Sequence, residues 1–316
     1  MHPIKVAVIG VGSLGQHHAR VYRELGAELV GVADTDRMRA AEIGARYGCP
    51  AMTDFRTLLR RVDAVSIAVP TLQHHDVGRA CLEAGVHVLL EKPMTATPQE
   101  AEDLLGIASA RKLTLQIGHI ERFNAAFRKA LGSAGGIKDP VLIECRRWAP
   151  FTSRGADVDV VLDLMIHDLD LALALAGAPV HDVQAHGVAI VSATTDVAHA
   201  RIVFENGCVA ALSASRMAES KIRELRIYQP DGYVIVDLAQ RTGRIGRRAM
   251  GIAGVAEVLT ETIEGDSQEP LKLELQAFLE SVATGAPPLV SGREGAAALK
   301  LAYDVMARIA GTAHDT

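Results

Sequence analysis

The sequence predicts an α/β protein in two domains, a doubly wound parallel sheet followed by an α/β domain with an open, largely antiparallel sheet. Three observations carry this. Strand and helix patterns alternate through residue 117, the strands apolar on both faces, as in a parallel sheet covered on both sides. A glycine-rich turn joins the first strand to the first helix. Over residues 180–237 strand follows strand, with polar residues on one face. A chain of 316 residues, 49% hydrophobic, fills two cores. The boundary is placed at residue 120, giving domains 1–120 and 121–316, with the last helix able to pack back on the first.

In order, residues 4–9 form a short apolar strand stopped by Gly10, and a helix covers 13–25. A strand spans 28–33 and a helix 37–47, ended by Gly48 and Pro50. Residues 63–69 are a buried strand closed by Pro70, 73–84 are helical up to Gly85, and 86–90 are a strand. Thr97, Pro98 and Glu100 open the next helix: the threonine caps, the proline suits the first turn, and the glutamate reaches back to the cap amide. A strand at 113–117 completes the first sheet. Beyond Gly118 a helix is expected at 122–131, a strand at 140–148 and one long helix at 158–176, ended by Gly177 and Pro179. Asn206-Gly207 marks a hairpin turn. Residues 238–268, with Arg241, Arg244, Arg247 and Arg248 among glycines, read as a mobile basic loop. Helices at 271–284 and 294–311 end the chain, the last with a Ser291/Glu294 capping box.

Composition narrows the function. A net charge of −5 and 4% aromatic residues give neither a basic footprint nor a stacking surface for nucleic acid. No stretch has the apolar length of a membrane span, and the opening residues Met1-His2-Pro3-Ile4-Lys5 form no signal peptide, so a cytoplasmic protein is expected. Cys49, Cys81, Cys145 and Cys208 are widely spaced and read as reduced, mostly buried thiols. His17-His18 and His74-His75 point in different directions within each pair, which favours surface or phosphate-side roles over a metal site. An uncovered apolar face on the second sheet would seek a partner, so a homodimer or homotetramer is expected.

Gly10-Val11-Gly12-Ser13-Leu14-Gly15 follows a strand and opens a helix. In that context Gly10 permits the tight turn, Gly12 lets a pyrophosphate approach the backbone, and Gly15 lets helix and strand pack closely. The helix N-terminus offers its amides to the phosphates. Asp34, nineteen residues beyond Gly15, ends the second strand, where a carboxylate accepts hydrogen bonds from a ribose. The set predicts a Rossmann dinucleotide site. A carboxylate also repels a 2′-phosphate, which favours NAD over NADP, although Arg37 nearby could accommodate that phosphate.

Glu91-Lys92-Pro93 follows a strand directly, placing Lys92 at the edge where doubly wound sheets bind ligands. An ammonium there can stabilise the alkoxide that forms as hydride leaves an alcohol carbon; the alternative is a solvated lysine. On the long helix, Leu162, Met165, Ile166, Leu169 and Leu173 lie at core spacing, while Asp163, His167 and Asp170 share another stripe. A histidine one turn from a carboxylate can take the hydroxyl proton; the alternative is a buried histidine satisfied by its neighbour. Two ligands on one helix do not make a metal site, and no metal is expected.

These residues together resemble the Gfo/Idh/MocA oxidoreductase family over nearly the whole chain: Gly10-x-Gly12-x-x-Gly15, Glu91-Lys92-Pro93 and Asp163-x-x-x-His167. The resemblance implies that Lys92 and His167 act on substrate with Asp163 beside them. It implies that Ser13, Leu14, Val69, Pro70, Thr71, His74 and Glu91 join the glycines, Asp34, Arg37 and Lys92 around the cofactor, with Lys92-Pro93 cis. Two segments are similar to family members that oxidise UDP-N-acetylglucosamine at C3: Gly118-His119-Ile120-Glu121-Arg122-Phe123-Asn124, and the stretch from Asp157 to Asp168. Asn124-Ala125 stands where many relatives have Asn-Pro. This implies a sugar-nucleotide substrate and a downstream aminotransferase that turns the 3-keto sugar into a 3-amino sugar for lipid A. Arg122 and Arg154 could pair with a diphosphate, the alternative being ordinary surface ion pairs, and Phe123 and Asn124 would face the sugar. Other sugars, inositol, UDP-N-acetylglucosaminuronic acid, and a non-catalytic NAD-binding regulator are the alternatives.

Overall fold

The structure, a computed structural model, describes residues 3–133, 136–152, 158–250, 256–266 and 268–312. It divides into two compact units, Met1–Ile120 with Gln268–Leu299, and Glu121–Ser267 with Lys300–Thr316. In the first, β1 (Lys5–Ile9), α1 (Gly15–Glu24), β2 (Glu28–Ala33), α2 (Arg37–Tyr47), β3 (Ala51–Met52) and β4 (Ala64–Ile67) lead to α3 (His74–Glu83), β5 (His87–Glu91), α4 (Pro98–Arg111) and β6 (Leu115–Gly118). The six strands are parallel in the order β3-β2-β1-β4-β5-β6, the doubly wound arrangement that reverses direction beside β1. The Thr97/Glu100 capping box is present at the start of α4. The short β3 was not foreseen; its Ala51 and Met52 pair with Val32 and Ala33 without a hydrophobic run of their own.

In the second unit a short 3₁₀ turn, Ile120–Phe123, leads into α5 (Ala125–Gly132), so the single helix expected at 122–131 is divided at Asn124. Asn124 Oδ1 caps α5 by accepting from the Ala126 and Phe127 amides. Next come β7 (Leu142–Trp148), a π-helical turn Val161–Met165, α6 (Ile166–Ala176), β8 (Val180–Val188), β9 (Val197–Phe204), β10 (Val209–Ser215), β11 (Ile222–Gln229) and β12 (Gly232–Asp237). The mobile loop expected at 238–268 is instead largely a hairpin, β13 (Thr242–Met250) and β14 (Ala256–Glu264), extending the sheet to eight strands. Backbone pairing to β12 builds it where side-chain hydrophobicity does not, and Tyr233 lies across Gly246, where any β-carbon would collide with its ring. The strand order is β14-β13-β12-β11-β7-β10-β9-β8, with only β7 and β10 parallel among these pairs. Gly207 turns between β9 and β10 with φ of 84°.

α5 covers the β12–β14 end of one face, and α6 covers β7 and β10. The other face is only in part the apolar surface expected. Glu144, Arg146, Glu224 and Arg226 stand on it with His186 and His199, lining a cavity of about 520 Å³. Arg146 and Arg226 both hydrogen-bond Glu224 there. That part of the face, polar and ion-paired, needs no cover from solvent.

α7 (Pro270–Thr284) belongs to the first unit, where Leu271, Leu275 and Phe278 join Val6, Val8, Tyr22 and Leu89 in one core. Burying such a side chain stabilises by about 1.5–3 kcal/mol each. α8 (Gly292–Thr312) follows, and the Ser291/Glu294 capping box forms at its start. α7 also carries Glu274 into the core, fully buried, with neither carboxyl oxygen hydrogen-bonded among the described residues. Burial raises its pKa well above the carboxylate range, and the Glu91 carboxylate adds to the effect. The folded state therefore holds a neutral acid, whose contribution to stability is intact below the ordinary carboxylate range and lost as pH rises toward the folded value. Glu274→Gln should match wild type in melting temperature near pH 5 and exceed it increasingly toward pH 9. Thermal unfolding across that range checks this; a difference that stays constant with pH refutes it.

Candidate active site

β1 hands over to α1 through the glycine turn. Gly10 has φ of 83°, and a β-carbon there would lie 2.7 Å from the Ala68 carbonyl. A β-carbon on Gly15 would overlap the Gly10 carbonyl oxygen. At Gly12, by contrast, nothing lies within 4 Å of the added atom. Gly10 and Gly15 are thus required by the turn itself, while Gly12 opens toward solvent, which is the space a pyrophosphate needs. Leu14 caps α1 without a side-chain acceptor and no acidic residue stands in the first turn, so no carboxylate of α1 itself repels phosphate from the helix end. Ser13 and Leu14 are exposed beside it.

Asp34 follows β2. Its Oδ2 accepts from the Val11 amide at 2.9 Å and its Oδ1 from the Asp36 amide at 2.9 Å. The arginine beside it is Arg39, with Nη1 3.8 Å from Oδ2, whereas Arg37 is exposed on α2. Asp36 caps α2 through the Met38 and Arg39 amides, and that geometry turns Arg39 toward the two aspartates. The open Gly12, the uncapped helix end and the Asp34 carboxylate fit a dinucleotide.

β4 runs into Val69, half-buried, then Pro70, exposed, and Thr71, half-buried. His74 is 1% exposed, with Nδ1 2.8 Å from the Pro93 carbonyl and Nε2 2.9 Å from the Val69 carbonyl. Burial lowers its pKa against the pull of those carbonyls. It is a strut between the ends of β4 and β5, holding the backbone on either side of the strand edge. The Lys92–Pro93 bond is cis, and Lys92 is half-buried. Glu91 turns inward: a β-carbon on Gly118 would lie 2.9 Å from its carboxyl carbon, and His18 Nε2 is 3.1 Å from its Oε1. Of the paired histidines, for which surface or phosphate-side roles are expected, His18 and His74 are buried and so hold no surface role; of the four only His17 is exposed, and His75 pairs with Asp103 at 2.9 Å. Apolar neighbours in α1 and α3 carried them inward.

In the second unit the expected helix at 158–176 is interrupted. Asp163 lies in the π turn and His167 in the first turn of α6, both half-buried. The wider turn shifts the stripe drawn on a regular helix, and such turns recur at functional sites. Of the expected core positions, Met165, Ile166 and Leu169 are fully buried. Asp168 and Asp170 are 2% exposed, so α6 is enclosed nearly all round.

Asp168 meets Arg147, which the sequence reading did not single out. Arg147 is 2% exposed; its Nε lies 3.1 Å from both Asp168 carboxylate oxygens and its Nη2 2.8 Å from Oδ1. Its Nη1 donates to Glu121 Oε1 at 2.9 Å, an oxygen shared with Arg223 Nη1 at 3.3 Å. Burial opposes the Arg147 charge, but Asp168 and Glu121 outweigh it and hold the pKa above the ordinary value. Burial also raises the Asp168 pKa, with Arg147 opposing. The signal was present: in β7, Ile143, Cys145 and Arg147 alternate inward, putting an arginine at a core position.

The neighbouring substrate candidates divide. Arg122, 12% exposed, lies 3.5 Å from Asp170 Oδ1. Phe123 is buried, and Asn124 uses its amide as cap and as donor to the Leu238 carbonyl at 2.9 Å. Arg154 and Asp157 lie outside the described residues. No group of three or more metal-ligating side chains is found among the described residues.

Comparison with known proteins agrees with this architecture. Residues 4–119 match the oxidoreductase family model with an NAD-binding Rossmann fold, and residues 114–235 match the GFO/IDH/MocA C-terminal domain. The chain is 41% identical over 303 residues to UDP-N-acetylglucosamine 3-dehydrogenase of Acidithiobacillus ferrooxidans, covering 96% of each. A solved structure of that enzyme superposes with a TM-score of 0.92 at 40% identity, covering 98% of both chains. Myo-inositol 2-dehydrogenase of Thermotoga maritima is 27% identical, with 95% of this chain and 94% of that one covered. On this combined footing the chain belongs to the Gfo/Idh/MocA oxidoreductase family, an NAD-dependent dehydrogenase whose first unit is the NAD-binding Rossmann domain.

Proposed function

We propose that the protein oxidises the C3 hydroxyl of UDP-N-acetylglucosamine to a 3-keto sugar. The observation that carries the reading is 41% identity, over 96% of both chains, to an enzyme named for that reaction. Lys92 at the end of β5 and His167 at the start of α6 support it.

NAD, when bound, supplies the hydride acceptor. Gly10, Gly12, Gly15 and the amides of Ser13 and Leu14 hold its pyrophosphate, and Asp34 its ribose. Val69, Pro70 and Thr71 line the remainder, with His74 and Glu91 fixing the backbone around them. The His167 imidazole takes the hydroxyl proton, with Asp163 on the π turn before it. The Lys92 ammonium stabilises the oxygen as negative charge develops on it. In the second unit Phe123 and Asn124 are buried under the turn that carries Arg122, which lies against Asp170.

A 3-keto sugar nucleotide suits an aminotransferase as the next enzyme, and the 3-amino sugar so made would serve lipid A in the cytoplasm. A homodimer or homotetramer belongs to the same proposal, with Trp148, Met217 and Ile222 supplying an apolar end of the open face. The test is NADH absorbance with UDP-N-acetylglucosamine, followed by mass and NMR identification of the product. A ketone at C3 is the expected result; turnover confined to inositol, free sugars or UDP-N-acetylglucosaminuronic acid would replace the reading.

A further inference from the structure

We infer that Lys221 and Arg223, at the start of β11, form the phosphate-binding subsite for the substrate's diphosphate; this rests on the sugar-nucleotide reading above. The register places Arg223 opposite Arg147, on the face of the sheet that carries α6. Lys221 immediately precedes β11, two residues from Arg223, where an extended chain carries both on one side. The charges there do not balance. Arg147 takes up Asp168 entirely and shares one Glu121 oxygen with Arg223, which leaves Lys221 without an ion pair among the described residues. Three cations thus meet two carboxylates. Lys221 is exposed, and the Arg223 side chain is 33% exposed, so the excess charge faces outward.

The two cations also feel one another. Arg223 lowers the Lys221 pKa, with burial adding to it, and burial followed by Arg147 lowers that of Arg223. An arriving dianion relieves this repulsion, whereas a neutral sugar does not. The position suits the chemistry. Contacts run from Arg223 through Glu121 and Arg147 to Asp168, the residue next to His167. In a nucleotide sugar the diphosphate hangs from C1, on the same ring as the hydroxyl to be oxidised. Of the two arginines expected to face a diphosphate, Arg122 lies against Asp170, and Arg154 falls outside the described residues.

The test uses the full chain with saturating NADH and measures binding of UDP and of uridine by calorimetry. Lys221→Met is the informative variant, since among the described residues Lys221 has no ion pair whose loss would disturb the fold. Wild type should bind UDP far more tightly than uridine. Lys221→Met should weaken UDP about 10- to 100-fold, leave uridine unaffected, and be rescued largely by Lys221→Arg. In turnover the loss should fall on KM for the sugar nucleotide rather than on kcat, and UDP should compete with the sugar nucleotide but not with NAD. Equal UDP binding by wild type and Lys221→Met overturns the subsite even where UDP-N-acetylglucosamine is oxidised. UDP competing with NAD overturns it as well. Failure of the sugar-nucleotide reading shows separately, as no 3-keto product from a wild type that still binds UDP through Lys221.

Discussion

Lys92→Met should lower kcat by about 10²–10³-fold, the usual loss when a group stabilising a developing oxyanion is removed. His167→Ala should cost about 10²–10⁴-fold, the range for a missing general base. The two losses should differ in pH dependence. Without His167 the acid limb of the kcat profile disappears, and rate rises with hydroxide instead. Without Lys92 the limb should persist at a lower plateau, because the general base is still in place. NAD binding, followed by nucleotide titration, should change little in either variant, since the glycine turn and Asp34 are untouched. Steady-state kinetics from pH 5 to 10 with product identification measures all of this. Turnover within a few-fold of wild type in either variant would remove that residue from the chemistry.

Arg147→Met should destabilise the protein by about 3–5 kcal/mol, the cost of breaking a buried ion pair from one side. The cause is less the lost attraction than what remains: Asp168 and Glu121, both buried, lose the guanidinium that justified their charges. Removing the charges together should be far milder. Arg147→Met combined with Asp168→Asn and Glu121→Gln should recover most of the loss, because neutral groups of similar shape carry little desolvation penalty. Denaturant unfolding of the single and triple variants decides it. A single variant within about 1 kcal/mol of wild type, or a triple variant no better than the single, contradicts the account.

The first sheet was legible because its elements follow rules of sequence alone: apolar runs stopped by glycine or proline, and a threonine–proline–glutamate helix start that formed as read. The glycine turn was legible for the same reason, since Gly10 and Gly15 have no sterically possible substitutes there. What escaped depends on neighbours. β13 and β14 have only Ile245, Gly246 and Ile263 buried, and exist because β12 offers them backbone partners. The π turn before α6 leaves no mark in hydrophobic spacing. His18 and Glu274 resemble surface residues until packing seals them in. Arg147 resembles an ordinary strand arginine, and only the period of β7 places it inside.

The Asp34 carboxylate has a wider bearing on cofactor preference. One of its oxygens is a hydrogen-bond acceptor for Val11, inside the turn that receives the pyrophosphate. Exchanging Asp34 for a small neutral residue to admit a 2′-phosphate would therefore loosen the grip on the far end of the dinucleotide as well. Adenosine selectivity and phosphate grip are mechanically joined through one amide. A switch to NADP has to keep an acceptor facing Val11, as asparagine can, while Arg39 turns its charge from the aspartates to the incoming phosphate.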